Sequence, residues 1–291
     1  MLKRLIDEFN AKGWNYKAVI IARDGEISDR LILSDALLPQ YSITKAFTAT
    51  AIGVLIDRAL INADDEISIY IDEILKSDND RLKRVKIRHL LSNSSGTDKG
   101  YLFEADRFTH GTDDYLNLII SKELIYEPGE KYAYSNSNFY LLSLIIQRVT
   151  NKASDDFIRD NIFKPLNITE YKATRCPKGH FLGGSGLYLK TEDMIKLAIM
   201  YGNDGLYMNN GILSESFIRQ ALSRQIAINS KEHYGFSFMM KDTNNVFVPG
   251  NYNQMLFINK TGRIFVAVNS DVRPSDTGTL MKIIRRVINS Q

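Results

Sequence analysis

Cysteine occurs once in the 291 residues, at Cys176. No disulfide can form within the chain, and no thiolate cluster can hold zinc or iron–sulfur. Cys176 reads as an inert small side chain, since nothing in the sequence marks a base for it. Histidine is almost as scarce. His89, His110, His180 and His233 lie far apart, with no pair at the helical or turn spacing of metal ligands. No apolar run approaches the length of a membrane span, and Asp7 and Glu8 stand where a secretion signal keeps its apolar core. The expectation is a cytoplasmic protein without metal or cofactor. Neither charge dominates: 37 basic against 34 acidic side chains leave +3 with histidines neutral, which is no nucleic-acid footprint. The basic run Lys83 to Arg88 follows Asp78 and Asp80 and reads as a solvated approach to a helix.

What is present is an ordinary globular balance, 44% hydrophobic and 24% charged, which rules out bulk disorder and leaves enough apolar surface for a real core. Leu2, Leu5, Ile6 and Phe9 form one helical stripe. Tyr16 to Ala22 reads as a strand, Asp24-Gly25 as a turn and Glu26 to Leu33 as the returning strand. Tyr41 to Leu60, free of proline, predicts one buried helix of about five turns. Residues 61–224 read as mostly helical, with a core helix at Asn138 to Thr150 and shorter ones at Asp193 to Tyr201 and Ser214 to Leu222. Beyond about residue 233 the period changes. Strands are expected at Tyr234 to Met240, Val246 to Val248, Gln254 to Asn259 and Arg263 to Asn269, then an amphipathic helix from Thr277 to Ile288. Both chain ends can then share one sheet (1–60 and 225–291), with a helical region inserted between.

Ser42-Ile43-Thr44-Lys45 is the only Ser-x-x-Lys in the chain. Residues three apart on a helix share a face, so hydroxyl and amine can meet. A lysine kept partly neutral by burial can take the serine proton and make it a nucleophile. Tyr134-Ser135-Asn136 follows downstream, just before a core helix. A tyrosine hydroxyl can pass a proton to a leaving group, and an asparagine amide can orient lysine and substrate. Gly250-Asn251 sits at a strand edge, where a backbone N–H can complete an oxyanion hole with that of Ser42.

This order resembles the serine beta-lactamase-like and penicillin-binding superfamily, whose motifs run Ser-x-x-Lys, Ser-Asp-Asn, Lys-Thr-Gly. The tyrosine in the second motif resembles the branch of class C beta-lactamases, D-alanyl-D-alanine carboxypeptidases and esterases. Ile87 to Gly96, Glu127-Pro128-Gly129-Glu130, Ile162 to Leu166 and Gly183-Gly184-Ser185-Gly186-Leu187 are similar to that branch in the same order. The resemblance implies an α+β, beta-lactamase/transpeptidase-like fold, with an antiparallel sheet flanked by terminal helices plus a large, mostly helical region. It also implies roles: Ser42 as acylated nucleophile, Lys45 as its base, Tyr134 as second proton carrier, Asn136 as polar clamp and Asn251 as oxyanion donor through its backbone. The glycine run at 183–186 is expected to be a structural turn near the site, with no nucleotide.

The third motif departs from the pattern. Val248-Pro249-Gly250 stands where the branch has Lys-Thr-Gly or His-x-Gly, and neither valine nor proline can bind a carboxylate. Pro249-Gly250-Asn251-Tyr252-Asn253-Gln254 instead resembles the Pro-Gly-x-x-Gly-Gln of members grouped with 6-aminohexanoate-dimer hydrolases and esterases. Asn253 replaces a glycine there, and asparagine tolerates positive φ best after glycine. Tyr252 and Tyr101 are candidates to line the cleft. The expected function is a serine hydrolase acting through an acyl-enzyme on an ester or amide, small-molecule or short-peptide. The alternatives are a D-alanyl-D-alanine carboxypeptidase or beta-lactamase, or a relative that binds without turnover.

Overall fold

Strands from both ends of the chain meet in one antiparallel sheet of eight. The structure, a computed structural model, describes residues 1–103 and 111–290, so His110 lies outside the described residues. The strands are β1 (Tyr16–Arg23), β2 (Glu26–Ile32), β3 (Ile226–Ala227), β4 (His233–Tyr234), β5 (Met239–Met240), β6 (Asn245–Gly250), β7 (Gln254–Asn259) and β8 (Ile264–Ser270), in spatial order β2-β1-β8-β7-β6-β5-β4-β3. The N-terminal hairpin joins the C-terminal strands through β1 and β8, with Val19 opposite Val268 and Ile21 opposite Val266.

The described helices of ten residues or more are α1 (Leu2–Ala11), α2 (Thr44–Asp57), α3 (Asn136–Thr150), α4 (Thr191–Gly202) and α5 (Thr277–Asn289). Successive strand residues face opposite sides, and here both sides are covered. Val19, Ile21, Phe257, Val266 and Val268 pack under Leu5 and Phe9 of α1 and Leu280, Ile284 and Val287 of α5. Ile20, Ala22, Leu256, Ile258, Phe265 and Ala267 face the other way, into the core shared with α2, α3 and α4. α4 lies so close to the sheet that a Cβ on Gly202 would sit 2.0 Å from the Phe265 ring.

Three expectations need correction. The buried helix does not start at Tyr41: Tyr41–Ile43 is a 3-10 turn, and α2 begins at Thr44. It also stops at Asp57, because Ala59 turns left-handed (φ 52) and the N–H groups of Ala59 and Leu60 close back on the carbonyls of Ile56 and Leu55. Tyr234 to Met240 is no continuous strand. Ser237 has φ 70 and Gly235 N–H bonds the Phe238 carbonyl at 2.8 Å, folding the segment into the tight turn between β4 and β5. The middle region is mostly helical but also holds the strands Lys172–Ala173 and Leu187–Leu189, which form a three-stranded sheet with Leu38–Pro39 from before α2.

Phe257 is fully buried between the sheet and the terminal helices. Phe257→Ala should cost roughly 3–5 kcal/mol in denaturant unfolding; a loss near zero would contradict this two-sided packing.

Candidate active site

The site starts with a strained residue. Tyr41 precedes Ser42 with φ 46, a conformation that costs a bulky side chain about 1–2 kcal/mol. Its ring meets Tyr252 edge-on at 5.0 Å, and the Arg273 guanidinium lies 3.9 Å over the other aromatic. Tyr252 and Asn253 are also left-handed, with φ 58 and 62. Their turn is held by Ser275 Oγ, which accepts from Tyr252 N–H, and by Asn253 Oδ1, which accepts from Asp276 N–H, both at 2.6 Å.

From Ser42 the chain enters α2, whose residues Thr44 to Leu55 are all buried. Lys45 is therefore buried too, only 1% exposed. Its amine donates to Ser42 Oγ at 3.2 Å, Asn136 Oδ1 at 2.5 Å and the Gly184 carbonyl at 2.7 Å. These acceptors use all three protons of an ammonium. Every one of them is neutral. Nζ also lies 4.6 Å over the Tyr134 ring and 5.5 Å over that of Phe139. Burial pushes the amine well below the ordinary lysine value, with no carboxylate among the described residues to offset it.

Asn136 opens α3, behind Ser135, whose hydroxyl caps the helix by accepting from Ser137 N–H at 3.2 Å. The Asn136 amide donates to the Leu102 carbonyl at 2.9 Å, which leaves Oδ1 for Lys45. Tyr134 lies two residues earlier, between Phe103, stacked at 6.3 Å, and Tyr234, edge-on at 6.5 Å. Burial pushes its phenol up to about 12, against a smaller opposite effect from its hydrogen bond with Ser42.

The glycine run folds onto α3, near the site as expected. A Cβ on Gly183 (φ 63) would stand 2.1 Å from the Phe139 carbonyl, and one on Gly184 would stand 3.0 Å from Asn136 Cα. Only this close approach brings the Gly184 carbonyl to Lys45.

Asn251 follows β6 and lines, together with Ser42 and Tyr134, two adjoining cavities of about 300 and 340 Å³. The first is walled by Met239, Phe247, Pro249 and Met281; the second by Tyr41, Phe103, Asn136, Ser185 and Tyr252. Of the five residues singled out from the motifs, Ser42, Tyr134, Asn136 and Asn251 line this space, and Lys45 is buried behind it, bonded to Ser42 and Asn136. Tyr101 does not line it; its carbonyl instead receives the N–H groups of Asn136 and Ser137. The Gly184 carbonyl, Phe103 and Met281 were not foreseen. A backbone carbonyl has no residue signature, and the two side chains reach the site only through tertiary packing. His89 sits elsewhere. Its Nδ1 accepts from Lys86 N–H at 3.1 Å, and burial, then Lys86 and Arg88, lowers it to about 4. Among the described residues no three His, Cys, Asp or Glu converge as a metal site, and no helix is long and apolar enough to cross a membrane.

The family profile described as beta-lactamase matches residues 2–287. The chain belongs to the beta-lactamase family. This family is a branch of a serine hydrolase superfamily. Protein flp of Staphylococcus aureus is 34% identical over 154 residues, half of this chain but only 31% of that protein's length. Among solved structures, the octameric penicillin-binding protein homologue from Pyrococcus abyssi aligns with a TM-score of 0.81 at 18% identity, covering 99% of this chain and 76% of that one. EstCE1, a hydrolase with promiscuous acyltransferase activity, aligns with a TM-score of 0.81 at 16% identity, covering 98% of both chains. At such identities the two structures establish the beta-lactamase/transpeptidase fold.

The uncompensated amine has a stability signature. With the folded pKa of Lys45 below its unfolded value of about 10.4, the unfolded chain binds the extra proton between those two values, so stability climbs with pH across that window. Below the folded pKa the penalty is fully present. Lys45→Met should therefore raise Tm at neutral pH and flatten this climb, as thermal unfolding from pH 6 to 10 will show.

Proposed function

We propose that this beta-lactamase family member hydrolyses esters or amides through an acyl-enzyme on Ser42. The observation that carries the reading is the Lys45 amine, buried without a counter-charge and bonded to Ser42 Oγ at 3.2 Å. Such an amine is neutral in a usable fraction and can take the serine proton. Tyr134 complements it: a phenol pushed up to about 12 keeps its proton near neutral pH. Lys45 is the base and Tyr134 delivers a proton to the leaving group.

The steps follow. Ser42 Oγ attacks the carbonyl carbon while its proton passes to Lys45 Nζ. The tetrahedral oxyanion is held by the backbone N–H groups of Ser42 and Asn251, each worth about 3 kcal/mol in comparable sites. The carbon–leaving-group bond breaks as the leaving group gains a proton through Tyr134, which is replenished from Lys45. Water then adds to the acyl-enzyme, with the same pair moving its protons. Asn136 keeps the amine aimed at Ser42. A carboxylate next to the scissile bond, as in a penicillin or a terminal D-alanine, finds Pro249 on the cavity wall and Val248 turned into the core, with no cation or hydroxyl from either to bind it, which favours esters and other amides.

Hydrolysis of p-nitrophenyl acetate, with Ser42→Ala prepared in parallel, tests the reading. Multiple turnovers absent from the variant are expected. Equal rates in both would overturn the assignment, and a single burst from the wild type would show acylation without turnover, the penicillin-binding alternative. Tyr134→Phe should lower kcat by roughly 10²–10⁴-fold while leaving Ser42 acylable.

Asn136→Asp puts a carboxylate beside Nζ and should raise the lysine pKa by about 1 to 3 units. The acidic limb of the kcat/KM profile should move to higher pH by the same amount. An unmoved limb would mean that Lys45 is not the group titrating there.

A further inference from the structure

The cavity of about 300 Å³ beside Ser42 runs along the α5 side of the sheet. Its walls, Met239, Phe247, Pro249 and Met281, are apolar, and Glu232 and Lys241 stand among its lining residues. Register shows that the charged pair is at the far end. Met239 pairs with Phe247 and Met240 with Val246, so continuing the ladder puts Lys241 level with Asn245. Gly250, next to the Ser42 turn, lies five residues along the same strand, roughly 16 Å at ~3.3 Å per residue. Lys241 and Glu232 are neighbours across β4 and β5 and pair at 2.8 Å.

On the other side of that pair lies a second, wider basin of about 650 Å³, which shares Glu232 and Lys241 with the cavity and adds Arg224, Lys231 and Arg285. Arg285 is paired with Asp242 at 2.8 Å. Arg224 and Lys231 are exposed and have no ion-pair partner among the described residues. Four cations thus face two carboxylates. The apolar slot leads from the nucleophile to a surplus of positive charge.

We propose that the site selects substrates in which the scissile ester or amide is separated by an apolar chain from a distal anion, with the chain in the Met239–Met281 slot and the anion among Lys241, Arg224 and Lys231. This rests on the hydrolase reading and names its substrate class. The cation absent at Val248–Pro249 is, in effect, displaced to the end of the slot. An anion there trades water for charge-assisted bonds, while Glu232 keeps Lys241 in place. The basin is open, so its preference must weaken with salt.

Three boronic acids of matched length, which bond reversibly to a reactive serine and whose extended chains approach the length of the slot, test this: decylboronic acid, 9-carboxynonylboronic acid and 9-aminononylboronic acid. Inhibition constants against p-nitrophenyl acetate hydrolysis should favour the carboxylate over the alkyl compound by roughly tenfold at low ionic strength. That ratio should shrink in 0.5 M salt, and fall to near one in Lys241→Met combined with Arg224→Ser and Lys231→Ser. Because the ratio is read within each variant, a general change in activity cancels. Equal inhibition by the alkyl and carboxylate compounds, preference for the amine, or a ratio that survives the triple variant would overturn the proposal while leaving the hydrolase reading intact. A wild type that neither hydrolyses the acetate ester nor binds any boronate would remove both.

Discussion

An amine kept out of water without a counter-charge governs the arrangement around Ser42. Lys45 meets three neutral acceptors and two aromatic faces, which satisfy its hydrogen bonds but supply no counter-charge against the cost of its burial. A carboxylate in place of any of them would make a more comfortable ion pair and a poorer base. The surroundings follow from this constraint. α2 must be buried on every side, Asn136 must be fixed by the Leu102 carbonyl, and the 183–184 loop must lie against α3 closely enough to offer a carbonyl. The chain keeps a local source of instability where the chemistry needs it.

Much of this was legible in the sequence, and the reason is physical. Ser42 and Lys45 are neighbours on one helical turn, so their meeting is a local fact that spacing alone conveys. Tyr134 and Asn136 flank a helix start with its own capping serine, also a local signal. The apolar runs of β1, β7 and β8 and the stripe of α5 likewise announced strands packed with a terminal helix. Asn253 was readable as a left-handed position, and it has φ 62. What escaped was decided at long range or by backbone atoms. The 3-10 turn at Tyr41 follows from contact with Tyr252 more than 200 residues away, and the bend at Ser237 is set by packing against other segments, including the N–H bond from Ser237 to the Leu91 carbonyl. Lys241 looked like any surface lysine because nothing near it in sequence reveals the slot it closes.

The third motif keeps its backbone geometry while its side chains differ from the family pattern. Gly250 retains the close approach to the Ser42 turn: a Cβ there would sit 3.0 Å from the Gln40 carbonyl. Position 248 faces the large core and is buried, while position 249 faces the slot. Valine and proline are therefore good strand and wall residues, and the nearest cation on this face, Lys241, stands farther along the sheet. Backbone geometry and side-chain selectivity are separable on the same strand, since the first needs only glycine at one position and the second depends on which alternate residues point outward.

The Tyr41–Tyr252 contact has a consequence for how the molecule comes together. It clasps the turn that bears Ser42 to the turn after β6, and the slot beside them is finished by Met281 from the last helix. The candidate site is thus complete only when the first strands, the middle loops and the final helix have all docked. Contacts of such sequence separation form slowly. Fraying of the C-terminal helix would open the slot and loosen the clasp while most of the core stayed native, so the site should go silent before the fold melts.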